Sequence, residues 1–525
     1  MERKARPNIV LILADDMGYS DIGCFGAEIE TPHLDALAAT GLRFTHMCNN
    51  ARCCPSRAAL LTGVYPHQAG IGLMVGNMGR PAYQGYLNEH CVTIAQALKN
   101  SGYRTGMSGK WHVGGGYGRD PEAMKRAGTP GYPTPNSRGF DRFYGILEGA
   151  GSYYNPITLS EDGQSLTVKP DEEFYLTDRI ADKAVQMVGE MKEDPFFLYV
   201  AFNAPHWPLH APPEAVAKYR DVYLKGWDRI REARFEKQRA LGLIRDEWLL
   251  SPRDDGAPKW EDASNKQWEA MRMAVYAAQV TLMDQGIGRI VSALKEAGIL
   301  DDTLIVFLSD NGGCAEDLQS DMAWLDQYVS PTRAGARVCY GNDPKRMPGG
   351  EDTYMSYGLP WANVSNTPFR LYKHWIHEGG IASPMVAHWT NGIHGPGRTV
   401  GSSLHFIDIL PTFLGAADAS YPDSFEGRPV LPPEGEDFQK LFSREPWTRE
   451  RPIFWEHEGN AGMLQGKWKL VRMYPGPWEL YDISMDRTEQ RNLGGQEPAR
   501  LARMAEAYQA WAARTGVVLH EELRG

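Results

Sequence analysis

No apolar run in this chain approaches the roughly 20 residues that a membrane-spanning helix needs, so no membrane partner is expected. Cysteine is scarce. The seven cysteines are odd in number, scattered and without C-x-x-C spacing, which argues against a disulfide framework and against a thiolate zinc site. An excess of positive charge is missing too: 55 Lys and Arg stand against 66 Asp and Glu, a net charge of -11. That balance speaks against a nucleic-acid partner and gives an anionic substrate no long-range attraction, so any anion must be held by a locally positive pocket. Internal repeats and low-complexity tracts are absent. No secretory leader is visible either, because Asp15 and Asp16 interrupt the first apolar run before a hydrophobic region with a cleavage site is complete. The chain as written is expected in the cytoplasm, with the periplasm open if a leader has been removed. In the cytoplasm the glycosylation-type triplet Asn363-Val364-Ser365 carries no meaning.

What is present is an ordinary globular composition, 42% hydrophobic and 23% charged, in 525 residues. That length corresponds to about three domains. Three continuous apolar runs end in polar groups: 8–14 in Asp15-Asp16, 196–202 in Asn203-Ala204-Pro205-His206, and 303–309 in Asp310-Asn311-Gly312-Gly313. Such runs read as strands buried on both faces of a largely parallel sheet. Helical patterns at 31–40, 93–99 and 271–297 lie between them, and the alternation argues for an α/β fold with helices sandwiching the sheet. In such sheets functional groups gather beyond the carboxyl ends of the strands, where Asp15, Asp16, His206, Asp310 and Asn311 fall. The Gly-, Pro- and aromatic-rich stretch 315–368 reads as an insertion or lid. The stretch 212–266 is charged and helical only in part. A Pro/Gly-rich shift at 425–436 separates a catalytic domain, 1–430, from a C-terminal α+β subdomain, 431–525. In the latter, short antiparallel strands at 452–456, 466–471 and 478–482 precede a helix at 498–514.

One run is specific enough to stand apart: Cys53-Cys54-Pro55-Ser56-Arg57, followed after three residues by Leu61-Thr62-Gly63. Fixing Cys, Pro, Ser and Arg alone gives on the order of one accidental match per thousand chains of this length. Pro55 suits a first helical turn and Gly63 a helix end, which places Cys53 at a helix N-terminus that favours anions, with Arg57 on the same face. The run resembles the signature of the type I, formylglycine-dependent sulfatases of the alkaline phosphatase superfamily, and the nearest likeness is to the bacterial arylsulfatases. The resemblance extends over nearly the whole chain. It implies that Cys53 is oxidised by a formylglycine-generating maturase and that the hydrated aldehyde attacks the sulfur of a sulfate ester. A large mixed sheet between helices, with a smaller antiparallel domain, is the fold implied.

Asp15, Asp16, Asp310 and Asn311 make an all-oxygen set suited to a hard divalent cation, Ca²⁺ in preference to Mg²⁺. The resemblance assigns the metal to these positions. Gly109-Lys110-Trp111-His112-Val113-Gly114 resembles the family's second signature, with Val113 in place of Leu. An extended backbone there projects Lys110 and His112 to one side, Lys110 to hold sulfate and His112 to act as a base. His206 matches the family's sulfate-contacting histidine. His210 competes for that role, and His206 is preferred because it directly follows the strand and Pro205. Lys373, ahead of Glu378-Gly379-Gly380, matches a sulfate-binding lysine, whereas His374 and His377 read as structural.

The implied reaction is hydrolysis of a sulfate monoester, aryl sulfates foremost, through a covalent sulfo-enzyme intermediate. Arg57 and the cation stabilise the oxyanion at position 53. Lys110, Lys373 and His206 orient the sulfate, His206 or Lys373 assists the leaving group, and His112 removes the proton that lets sulfate depart. The nearest alternative is a phosphate or phosphonate ester hydrolase of the same superfamily. A non-catalytic scaffold and a cysteine-thiolate hydrolase are the more distant ones.

Overall fold

The structure is a computed structural model and describes residues 6–118 and 121–524. Four adjacent parallel strands form its centre: β1 (Asn8–Ala14), β2 (Arg104–Gly109), β3 (Phe196–Ala201) and β4 (Thr303–Ser309), in the spatial order β4-β1-β3-β2. They belong to an eleven-stranded mixed sheet counted among the described residues. Strand Ala382–His388 joins β4 antiparallel, and Arg142–Ile146 joins β2 parallel. All seven residues of β1 and of β4 are buried, as a strand covered on both faces requires. Their side chains alternate between two cores. Val10, Ile12 and Ala14 face one, with the helix Leu176–Met191 and the 31-residue helix α2 (Lys266–Glu296). Ile9, Leu11 and Leu13 face the other, with α1 (Cys53–Thr62) and the helices Ile94–Asn100 and Ile409–Ala416.

Strand register sets the height at which the functional ends emerge. Gly109 pairs with Ala201, Ala201 with Leu13, and Leu13 with Leu308, so one row crosses all four strands at the same height. The residues just beyond that row therefore leave the sheet level with one another. Gly109 has φ 124°, and a Cβ there would lie 1.9 Å from the Ala201 carbonyl oxygen. Only glycine lets β2 and β3 approach this closely before the chain turns into Lys110.

The C-terminal part forms a separate four-stranded antiparallel sheet in sequential order, Ile453–His457, Asn460–Gln465, Trp468–Arg472 and Glu479–Asp482, followed by the helix Pro498–Thr515. The strand Asn460–Gln465 went unread in the sequence, because its opening Asn-Ala-Gly has none of the β-branched residues that signal a strand. The stretch from 315 onward gathers its own small core of Leu318, Leu325, Val329, Val338 and Tyr354 against Trp207. Its last part, the helix Gly358–Ser365, instead places Trp361, Ala362 and Val364 in the main core. Among the described residues, no helix is long and apolar enough to cross a membrane.

Candidate active site

Cys53 is the first residue of α1, and the extended Arg52 before it caps the helix without a side-chain hydrogen bond. Ser56 fixes the approach, its Oγ accepting from the Asn50 amide at 2.8 Å. Pro55 occupies the third helical position, where its missing N–H leaves no gap in the helix ladder. Gly63 ends the helix in the left-handed conformation, its amide donating to the Ala59 carbonyl at 2.9 Å.

One turn along α1, Arg57 is fully buried and grips Asp310 Oδ2 through Nε at 3.0 Å and Nη2 at 2.8 Å. Its Nη1 donates to the Lys110 carbonyl at 2.9 Å, which joins α1 to the ends of β2 and β4. Lys110 Nζ pairs with Asp15 Oδ2. Asn311 Nδ2 donates to Asp16 Oδ1 at 2.7 Å, and the Asp16 amide donates to Asp310 Oδ1 at 3.2 Å. Lys373 Nζ lies 2.8 Å from Asp16 Oδ2 and 3.4 Å from His206 Nε2. The ligating atoms of Cys53, Cys54 and His112 lie within 4.8 Å of one another. All ten candidate residues thus meet in one buried cluster at the level strand ends.

The electrostatics are those of an anion site beside a cation site. Burial and the neighbouring Asp310 push the Asp15 carboxyl well above its usual range. Against burial, the Lys373 ammonium 2.8 Å away holds Asp16 low. Burial drives the His206 imidazole down to about 3, so the ring is neutral. Its Nδ1 lies 2.6 Å from the Trp207 carbonyl, an acceptor only, which puts the proton on Nδ1 and turns the Nε2 lone pair toward Lys373. The Cys54 thiol, followed by Lys110, His112 and Lys373, holds the Cys53 thiol well below its ordinary range against burial. Burial lowers His112 as well. Among the described residues, the buried Asp15 Oδ1 and Asn311 Oδ1 accept no hydrogen bond, and neither ring nitrogen of His112 makes one. Unsatisfied carboxylate and amide oxygens beside Asp16 and Asp310 fit a hard divalent cation. The unpartnered His112 fits a hydroxyl-bearing group at position 53.

Backbone strain concentrates here. Asp16, Ala51, His112, Leu371 and His374 all have positive φ, from 55° at His112 to 94° at His374. Each such residue costs of order 1–3 kcal/mol and persists only where its surroundings dictate it. For His112 this corrects the extended geometry expected from the sequence. Lys110 continues the pairing of β2 with β3 through its amide and the Ala201 carbonyl, whereas His112 turns away at φ 55°. Gly149 makes room for it, since a Cβ at 149 would sit 2.2 Å from His112 Nε2.

His210 lies outside the cluster. It is buried among Tyr153, Tyr154 and Tyr354, with Nε2 2.6 Å from the Thr353 carbonyl. His374 faces Glu458 at 2.8 Å and His377 faces Glu479 at 3.5 Å. Three neighbours were missed in the sequence: Glu316, Arg52 and Trp207. Glu316 accepts from Arg52 Nη1 at 2.8 Å and from Trp207 Nε1 at 2.9 Å, and lies 4.0 Å from Lys373 Nζ. The only signal for it was an acid following Asp310-Asn311 within a few residues.

The chain matches the Sulfatase family model over residues 7–419 and the C-terminal family model of N-sulphoglucosamine sulphohydrolase over 369–507. It is 33% identical to an uncharacterized sulfatase of Schizosaccharomyces pombe, covering 98% of this chain and 94% of that one. It is 34% identical to an arylsulfatase of Klebsiella aerogenes, over 82% of this chain and 90% of that protein. Among solved structures, Ps i-CgsB in complex with k-i-k-neocarrahexaose superposes with a TM-score of 0.67 at 26% identity, covering 97% and 93% of the two chains. The phosphonate monoester hydrolase of Agrobacterium radiobacter shares the fold at a TM-score of 0.58 and 20% identity, covering 97% and 96%.

Proposed function

The chain belongs to the sulfatase family and hydrolyses sulfate esters, and we propose that it does so with position 53 as formylglycine, with Ca²⁺ held by Asp15, Asp16, Asp310 and Asn311, and with aryl sulfates as substrates. The observation that carries this reading is the convergence of Cys53, Arg57, Lys110, His112, His206 and Lys373 on the four-oxygen set at one level of the sheet. The division into a catalytic domain, 1–430, and a C-terminal subdomain, 431–525, belongs to the same reading and is supported by the separate four-stranded sheet.

When bound, the cation would supply charge that lowers the cost of bringing the anionic edge of a sulfate monoester and an oxyanion into a buried site. The formylglycine hydrate, made by a maturase acting on Cys53, supplies a nucleophilic hydroxyl and a second hydroxyl that serine lacks. The remaining work belongs to the chain's own side chains. Arg57, fixed by Asp310, presents a permanent positive charge at the start of α1, where the free N–H groups add to it. Lys110 and Lys373 meet the sulfate oxygens. Lys373, held protonated by Asp16 and Glu316 against burial, presents a fixed ammonium that stabilises the charge developing on the leaving oxygen. His206, neutral with its lone pair toward Lys373, orients that ammonium; a ring lowered to about 3 is a poor acid at neutral pH. His112, neutral and unpartnered, accepts the proton whose removal lets sulfate leave.

The test is Cys53→Ser. Serine can attack once, yet has no second hydroxyl to expel sulfate, so a single-turnover burst on 4-nitrophenyl sulfate with no steady state is expected. Sustained turnover by that variant contradicts the mechanism. Matched assays on an aryl sulfate and an aryl phosphonate monoester separate the sulfatase from the phosphonate hydrolase that shares its fold.

A further inference from the structure

Resting on the sulfatase reading, the geometry points to Trp207, Trp324 and Tyr328 as the wall that receives the leaving group, and to an uncharged aromatic alcohol as the group received.

The wall begins at the chemistry. The Trp207 indole packs on the His206 ring with centroids 4.3 Å apart at 52°, and its Nε1 is tied to Glu316. From there the aromatic surface runs outward. Trp207 meets Trp324 edge-on at 6.1 Å and Tyr328 at 6.1 Å, and Trp324 meets Tyr328 at 6.3 Å. Exposure rises along the same path, from 7% at Trp207 to 46% at Trp324. A half-exposed tryptophan continuous with a buried aromatic cluster is what a ring-binding surface offers to solvent. Glu316, which holds Trp207 Nε1, also holds Arg52, the residue before position 53, and lies 4.0 Å from Lys373 Nζ. The wall therefore flanks the reacting position and is not a remote patch.

Charge decides which alcohol fits. The segment 315–329 carries Glu316, Asp317, Asp321 and Asp326 and contains no lysine or arginine. Arg52, the cation preceding the nucleophile, is engaged by Glu316. The sulfate being hydrolysed meets Lys110, Lys373 and Arg57, but a second anionic group on the alcohol meets carboxylates. A polysulfated sugar needs cations for its remaining sulfates and the segment 315–329 provides none of them, whereas a neutral ring needs only the aromatic face. The orthogonal contacts among the three side chains leave edges and faces that suit offset or edge-on packing of another ring.

The experiment uses the full chain with formylglycine at position 53, as wild type, Trp324→Ala and Trp324→Phe. The substrates are 4-nitrophenyl sulfate, its ring-carboxylated analogue, and a fluoroalkyl sulfate of matched leaving-group acidity. Thermal midpoints verify that the surface substitutions leave the fold intact. Trp324→Ala is expected to raise KM for 4-nitrophenyl sulfate about 10-fold, the scale of losing one ring contact with its buried area. It should leave kcat/KM on the fluoroalkyl ester unchanged, and Trp324→Phe should restore most of the loss. Wild type should disfavour the carboxylated analogue. Equal losses on aryl and alkyl esters, no loss on either, or equal wild-type turnover of the carboxylated ester overturns the assignment of the wall. Absence of turnover on every sulfate ester overturns the sulfatase reading together with it.

Discussion

Lys469 is the residue whose removal most sharply tests how the two sheets are held together. It is fully buried, with Nζ 2.7 Å from Glu378 Oε1 and 2.7 Å from Glu489 Oε1. Arg487 Nε grips the other oxygen of Glu378 at 2.7 Å, and Glu489 accepts from the Glu378 amide at 2.9 Å. Two cations and two carboxylates therefore balance in a buried site, and Glu378 belongs to the segment that follows Lys373. Lys469→Met keeps the length of the side chain and leaves two carboxylates facing one guanidinium. Removing one partner of a buried pair costs about 3–5 kcal/mol. At ~2 °C per kcal/mol, the large-protein end of the usual scaling, the thermal midpoint should fall by about 6–10 °C at neutral pH. The sign of the pH dependence is set by Glu378, which Lys469 and Arg487 hold far below its usual range against burial. Its stabilisation is complete above the unfolded carboxylate pKa and is lost as pH falls through the folded one. In the variant the orphaned carboxylate favours its protonated form, so the gap to wild type should be widest near neutrality and narrow on acidification. Differential scanning calorimetry at several pH values reads both effects. A drop under about 2 °C, or a gap that stays constant with pH, refutes the argument.

Two further outcomes concern the site itself. Arg57→Lys keeps the charge but loses the fork that holds Asp310 and the Lys110 carbonyl, so kcat on 4-nitrophenyl sulfate should fall about 100- to 1,000-fold with little change in KM, as for loss of a preorganised oxyanion donor; a loss confined to KM contradicts that role. Stripping divalent cations with a chelator should abolish activity and lower the thermal midpoint, because Asp15, Asp16 and Asp310 then share a buried site without their counter-ion, and Ca²⁺ should restore both more fully than Mg²⁺; retention of full activity after exhaustive chelation counts against the metal site.

Much of this arrangement was legible in the sequence because its signals are local. Asn8–Ala14 and Thr303–Ser309 advertise themselves as doubly covered strands, and a polar pair directly after each one marks the functional end of a parallel sheet. The cysteine run announces its helix through Pro55 and Gly63, and the helix spans Cys53–Thr62. What stayed hidden depends on contacts between distant segments. No local pattern links Lys469, Glu378, Glu489 and Arg487, and only the packing of the C-terminal sheet on the large one brings them together and buries them. Glu316 looks like any acid in a loop until Arg52, Trp207 and Lys373 are brought to it. The left-handed turn at His112 has no sequence marker, since few non-glycine residues adopt it, histidine included, and nothing local singles this one out. α2 begins at Lys266, ahead of the 271 start expected, because Trp268 alone among Lys266, Gln267 and Glu269 gives its first turn no apolar period to read.

The central claim is that position 53 works as an aldehyde hydrate and not as a thiol. Peptide mass spectrometry on active, natively expressed protein tests it most directly, with an aldehyde-specific probe applied to the same peptide. The peptide carrying position 53 should have lost its sulfur, gained an oxygen and react with the probe in proportion to specific activity. A fully active enzyme whose position 53 is an unmodified cysteine contradicts the claim.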